Sequence, residues 1–215
     1  MSSQQPVANA VRLVFLHAFP LDERMWRGRE VAPRLYGRGR TMDEWAASLL
    51  DEIGGELVLV GASMGGYCAL AMARQAPERV RGLLLVGSRP DADSPERREG
   101  RAKTIALIRE QGTHALWEDM RPKLFADPAR ADESLLHDDP DELVAAVEAI
   151  RDRPDSTDVA RATTTLLVVG DCDPFVSADD VRGFDVRELA GAGHLVSLER
   201  PEEFDAIVEE FVARV

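Results

Sequence analysis

Gly61-Ala62-Ser63-Met64-Gly65-Gly66 follows directly on the apolar run Leu57-Val58-Leu59-Val60 and leads into a stretch, through Met72, that reads as helix. Gly-x-Ser-x-Gly is a weak signal alone, but its place between a buried strand and a helix gives it weight. A turn that tight tolerates almost only glycine beside the serine, and it thrusts the serine out at the C-terminal edge of a sheet. There the helix N-terminus favours developing negative charge. The competing reading is a glycine-rich turn with an idle serine.

A serine hydroxyl is a poor nucleophile near neutral pH and needs a base within reach. Of the four histidines, His114 and His137 lie in a strongly charged stretch and are expected at the surface, and His17 is expected to brace a loop. His194 sits in Ala190-Gly191-Ala192-Gly193-His194, a loop of small residues that lets the chain approach the serine closely. It is the expected general base. An acid must fix the tautomer of that base. Gly170-Asp171-Cys172-Asp173-Pro174 follows the apolar run 166–169, so its carboxylates emerge at the same sheet edge as Ser63. Asp173, further into the loop and stiffened by Pro174, is the expected acid, whereas Asp171 is expected to tie its loop together. An oxyanion needs two donors in place. They are expected from the N–H of Met64, directly after the serine, and of Phe19, in the loop His17-Ala18-Phe19-Pro20.

The elements that would position these groups are legible as patterns. Continuous apolar runs at 12–16, 57–60, 83–86 and 166–169, with a further strand at 185–189, read as strands covered on both faces, the mark of a parallel sheet sandwiched by helices. Thr41 and Glu44 form a capping box, and Asp139-Pro140 gives an N-cap followed by an N1 proline. A last helix from Pro201 should bury Phe204, Ile207, Val208, Phe211 and Val212. Residues 89–160 hold 18 acidic and 11 basic residues and no strand-like run, which predicts a helical excursion, a cap of the kind that covers one end of a sheet. A plain chain of surface helices is the alternative.

Composition narrows the partners. The chain has 215 residues, enough for one domain (1–215), with 26 Lys and Arg against 39 Asp and Glu, a net charge of −13. Such an acidic surface repels phosphate backbones and anionic lipid heads, so neither nucleic acid nor a membrane is an expected partner. Two cysteines without a C-x-x-C pair exclude a disulfide scaffold and point to a reducing cytoplasm. The polar Met1–Ala10 stretch does not read as a signal peptide.

Taken together, the chain resembles the α/β-hydrolase superfamily, and within it the 3-oxoadipate enol-lactonase-like group. The likeness rests on His17 to Asp22 with Met25-Trp26, the elbow Gly61 to Gly66, Arg151-Asp152-Arg153-Pro154-Asp155-Ser156, Gly170 to Pro174 and Gly191 to His194. It implies an α/β-hydrolase fold with a mostly parallel central sheet and a helical cap before the acid-bearing strand. It further implies Ser63, Asp173 and His194 as catalytic residues, Phe19 and Met64 at the oxyanion hole, and no cofactor or metal. The implied reaction is hydrolysis of a small ester or lactone. A perhydrolase or carbon–carbon hydrolase on the same residues, or a non-catalytic binder keeping the fold, are the alternatives. Three departures stand out: Ala18 replaces a usual glycine, only fifteen residues separate Met25 from Thr41, which leaves Val31 to Tyr36 as the remnant of a strand, and the stretch between Asp173 and His194 is compressed.

Overall fold

A computed structural model describes residues 11–215, so the reading of Met1–Ala10 falls outside it. Five strands, β1 (Val11–Leu16), β2 (Glu56–Ala62), β3 (Val80–Val86), β4 (Thr164–Gly170) and β5 (Asp185–Leu189), form one sheet in sequential order, and every adjacent pair is parallel. Among the described residues seven α-helices surround it: α1 (Met42–Glu52), α2 (Met64–Gln75), α3 (Pro95–Leu124), α4 (Pro140–Asp152), α5 (Thr157–Ala162), α6 (Val196–Glu199) and α7 (Pro201–Val212). This is the α/β architecture expected from the alternating pattern.

The apolar runs are buried because successive side chains serve opposite faces. Leu57, Leu59, Leu83, Leu85, Leu167 and Val169 pack into one core with α1, α2 and α4. Val58, Val60, Leu84, Val86, Leu166 and Val168 pack into a second core under α6 and α7. Thr41 caps α1 through the Glu44 N–H while the Glu44 carboxylate takes the Thr41 N–H, and Asp139 caps α4. Helix α7 buries Phe204, Val208 and Phe211, but Ile207 is half-buried and Val212 is 37% exposed. The expected stripe is therefore too wide rather than too long: Phe211, beside Val212 at the end of the helix, is fully buried.

Two connections are short. Between Met25 and Thr41 the expected strand remnant forms one parallel bridge, Val14 to Val31, with Phe15 N–H donating to Val31 O at 2.9 Å. Between β4 and β5 the crossover makes do with a 3₁₀ turn at Ala178–Val181 in place of an α-helix. Between β3 and β4 the chain does the opposite and builds α3, α4 and α5. Helix α3 is bent at Gly112 (φ 80°), a conformation that glycine adopts without strain. Among the described residues no helix is long and apolar enough to cross a membrane.

Candidate active site

Strand β2 ends in the elbow, and Ser63 there has φ 48° and ψ −111°. It is the one non-glycine residue at positive φ among the described residues. Holding a serine there costs on the order of 1–3 kcal/mol, which the surroundings must over-determine. They do so by close approach. A Cβ on Gly65 would collide with the carbonyl of Leu16, and one on Gly66 with the hydroxyl of Ser88. Gly66 and Tyr67 return their N–H groups to the Ser63 carbonyl, at 2.9 and 3.3 Å, and the fully buried Ser88 hydroxyl also donates to it at 2.9 Å. Met64, at the first position of α2, has no carbonyl within the helix to receive its N–H.

His194 leaves β5 through the glycine loop, and its Nδ1 lies 2.8 Å from Oδ2 of Asp173, with the Asp173 side chain wholly buried. The carboxylate only accepts, so the hydrogen sits on Nδ1 and Nε2 keeps its lone pair. The other oxygen of Asp173, Oδ1, accepts from Phe175 N–H at 2.8 Å and Val176 N–H at 3.3 Å. Asp171 turns instead to Gly191 N–H at 2.7 Å, and Cys172 N–H donates to Ala192 O at 2.9 Å, so the two loops are stitched together. Asp171 thus ties a loop, as expected, although the loop it ties is that of the histidine.

Ser63, His194 and Phe19 open onto one cavity of about 540 Å³. Tyr67, Leu107, Met120, Ile150 and Val176 give it an apolar interior, and Arg97, Arg101 and Lys123 stand among its charged lining. Leu107 and Met120 come from α3 on either side of its bend. A larger groove of about 780 Å³ lies at the opposite end of the sheet, around Arg74, Arg81 and Thr164, with no serine or histidine in its lining. The smaller cavity is therefore the one that gathers the serine and the histidine.

The loop after β1 is braced as expected. His17 is completely buried, and its Nε2 accepts the Leu35 N–H at 3.0 Å. Burial lowers its pKa to about 4. The unfolded chain takes up that proton near 6.5, so it binds more protons than the native state between pH 6.5 and 4. Stability contributed by neutral His17 is whole above pH 6.5 and is lost as pH falls through that window, by about 3 kcal/mol. Urea unfolding of wild type and His17→Gln at pH 7 and pH 4.5 should show the steeper loss in wild type; equal losses would exclude it. Ala18 is not at positive φ, so its replacement of glycine carries no backbone strain.

His137 departs from expectation. It is only 4% exposed, stacked on Tyr36 with centroids 4.1 Å apart and its Nε2 2.7 Å from Glu142. Its neighbours Tyr36 and Glu142 come from either side of it in the chain, so local charge density gave no sign of its burial. His114 is exposed, as expected. Gly193 also serves a different purpose from the one expected: a Cβ there would meet Ala126 N and the Glu199 carboxylate, not the serine. No sequence pattern points to Gly87, where φ is 54° and a Cβ would lie 2.9 Å from the His194 ring. The same holds for Ser88: both follow β3, and one small residue beyond a strand is too faint a signal alone. Arg153, from the Arg151–Ser156 motif, stacks on Tyr67 at 3.8 Å and donates to the buried Asp93 at 2.8 Å. Cys68 is buried in the core, where its thiol is pushed up to about 12 and is inert at neutral pH. Among the described residues no cluster of His, Cys, Asp and Glu is placed to hold a metal.

Residues 13–207 match the alpha/beta hydrolase family. The chain belongs to that family. Among solved structures, a thermophilic esterase from Thermogutta terrifontis is 30% identical, with TM-score 0.80, over 96% of this chain and 91% of that one. The enol-lactonase of Burkholderia xenovorans shares the fold, with TM-score 0.77 and 21% identity over 95% and 92% of the two chains. A curated relative, the pimeloyl-[acyl-carrier protein] methyl ester esterase of Aromatoleum aromaticum, is 34% identical over 38% of this chain. The match spans about two fifths of that relative's length (39%).

Proposed function

We propose that this alpha/beta hydrolase cleaves small carboxylic esters or lactones through an acyl-enzyme. The observation that carries the reading is the His194–Asp173 pair, 2.8 Å apart, facing the same cavity as a serine held in a strained turn at a helix N-terminus. The 30% identity to an esterase over nearly the whole chain supports it.

Ser63 Oγ attacks the ester carbonyl carbon as His194 Nε2 takes the hydroxyl proton, and Asp173 stabilises the imidazolium that results. Negative charge gathers on the former carbonyl oxygen, and the N–H groups of Met64 and Phe19 receive it. Collapse of the intermediate breaks the bond to the alcohol, which leaves with the proton from His194; a lactone leaves its alcohol tethered. Water, deprotonated by the same imidazole, then releases the acid and restores Ser63. Residues 89–160 act as the cap that shields these steps, and the apolar interior under α3 receives the acyl group. Two free thiols, one of them exposed, fit a reducing cytoplasm.

A fluorophosphonate probe followed by peptide mass analysis tests the reading. Labelling is expected at Ser63, accompanied by loss of turnover on short-chain p-nitrophenyl esters. An unlabelled Ser63 in a folded sample, or labelling with no loss of activity, would overturn it.

A further inference from the structure

We infer that Glu199 is a positioning residue for His194, a reading that rests on the esterase mechanism above. Glu199 ends α6 and is 2% exposed. Its Oε2 accepts the N–H of Gly193 at 2.6 Å, and its Oε1 accepts the N–H of Asp127 at 2.9 Å. On the other side of the histidine, Leu195 N–H donates to Leu124 O at 3.1 Å. The peptide groups on both sides of the base are thus fastened to residues 124–127, where the chain leaves α3. Gly193 is packed so closely that a Cβ would lie 2.6 Å from Ala126 N. Asp173 sets the tautomer of the ring, and Glu199 sets where the backbone that carries the ring stands.

The two bonds require a carboxylate. Each oxygen takes one N–H, and neither donor could be served by an amide nitrogen, which is itself a donor. Helix α3 contributes Met120 and Lys123 to the cavity within two turns of the fastened segment. Through Glu199 the roof of the cavity and the proton acceptor move as one body.

Glu199→Gln keeps the size of the side chain and leaves one N–H facing an N–H₂ group. On a p-nitrophenyl ester, kcat should fall about ten- to a hundredfold with KM within threefold, because a base displaced by about 1 Å loses rate rather than binding. The deciding measurement is the same substitution in a His194→Ala background. A group acting through the imidazole has nothing left to position there, so the loss should shrink to less than twofold. An equal loss in both backgrounds would make Glu199 merely structural, and a folded Glu199→Gln enzyme with unchanged kcat would dismiss the proposal. Should that variant not fold, Glu199→Asp keeps both acceptors on a shorter arm and must show the same background-dependent loss. Ser63→Ala with undiminished turnover would instead bring down the esterase reading itself.

Discussion

Replacing Ser63 with alanine is expected to lower ester turnover by about 10⁴-fold or more, the scale set by removal of a nucleophile from a working triad. In the proposed mechanism Ser63 supplies the nucleophile through Oγ, whereas its backbone conformation costs stability. Its φ of 48° is forced on it by the elbow, and alanine inherits that strain unchanged. Glycine does not, so Ser63→Gly should be as inactive as Ser63→Ala but about 1 kcal/mol more stable than it, after allowance for the freer unfolded chain. Paired kinetics and urea unfolding of the two variants check both parts. A Ser63→Gly protein no more stable than Ser63→Ala would mean that the elbow stores no strain.

The two aspartates after β4 should part company by several orders of magnitude. Asp173 is held by three contacts: Oδ1 receives the N–H groups of Phe175 and Val176, and Oδ2 faces His194. In Asp173→Asn the amide oxygen must stay with those two backbone donors. The amide nitrogen is thereby turned toward Nδ1 of His194, which must then accept, and Nε2 carries the hydrogen and can no longer act as a base. The expected loss in kcat is about 10⁴-fold. Asp171→Asn keeps an oxygen for Gly191 N–H, and its kcat should stay within about threefold of wild type. The reverse ranking of the two variants would transfer the acid role to Asp171.

Much of this was readable in advance because it is encoded locally. Four buried strands announce themselves as short apolar runs, and the elbow, the acid loop and the histidine loop each sit directly beyond a strand. What stayed hidden depends on residues remote in the chain. Burial of His137 needs Tyr36 to be folded beneath it. Glu199 reads as one more acid in an acidic C-terminal stretch until Asp127 is brought against it. Ser88 and Gly87 occupy a position whose importance follows only from the neighbouring strand, since β2 and β4 flank β3 and carry the serine and the acid. The β4–β5 crossover was legible only as a short stretch between Asp173 and His194; the 3₁₀ turn that fills it has no pattern of its own.

The order of the strands gives the site an unequal footing. Ser63 and Asp173 spring from inner strands, whereas the Phe19 peptide and His194 spring from β1 and β5, the two outermost. Margins open before the middle of a sheet. Each marginal loop is pegged by one buried side chain, His17 to Leu35 on one flank and Glu199 to Asp127 on the other. Thermotolerance of turnover would then be limited by two pegs that never touch the reactants, and reinforcing them is a route to hotter operation that leaves the reacting groups alone.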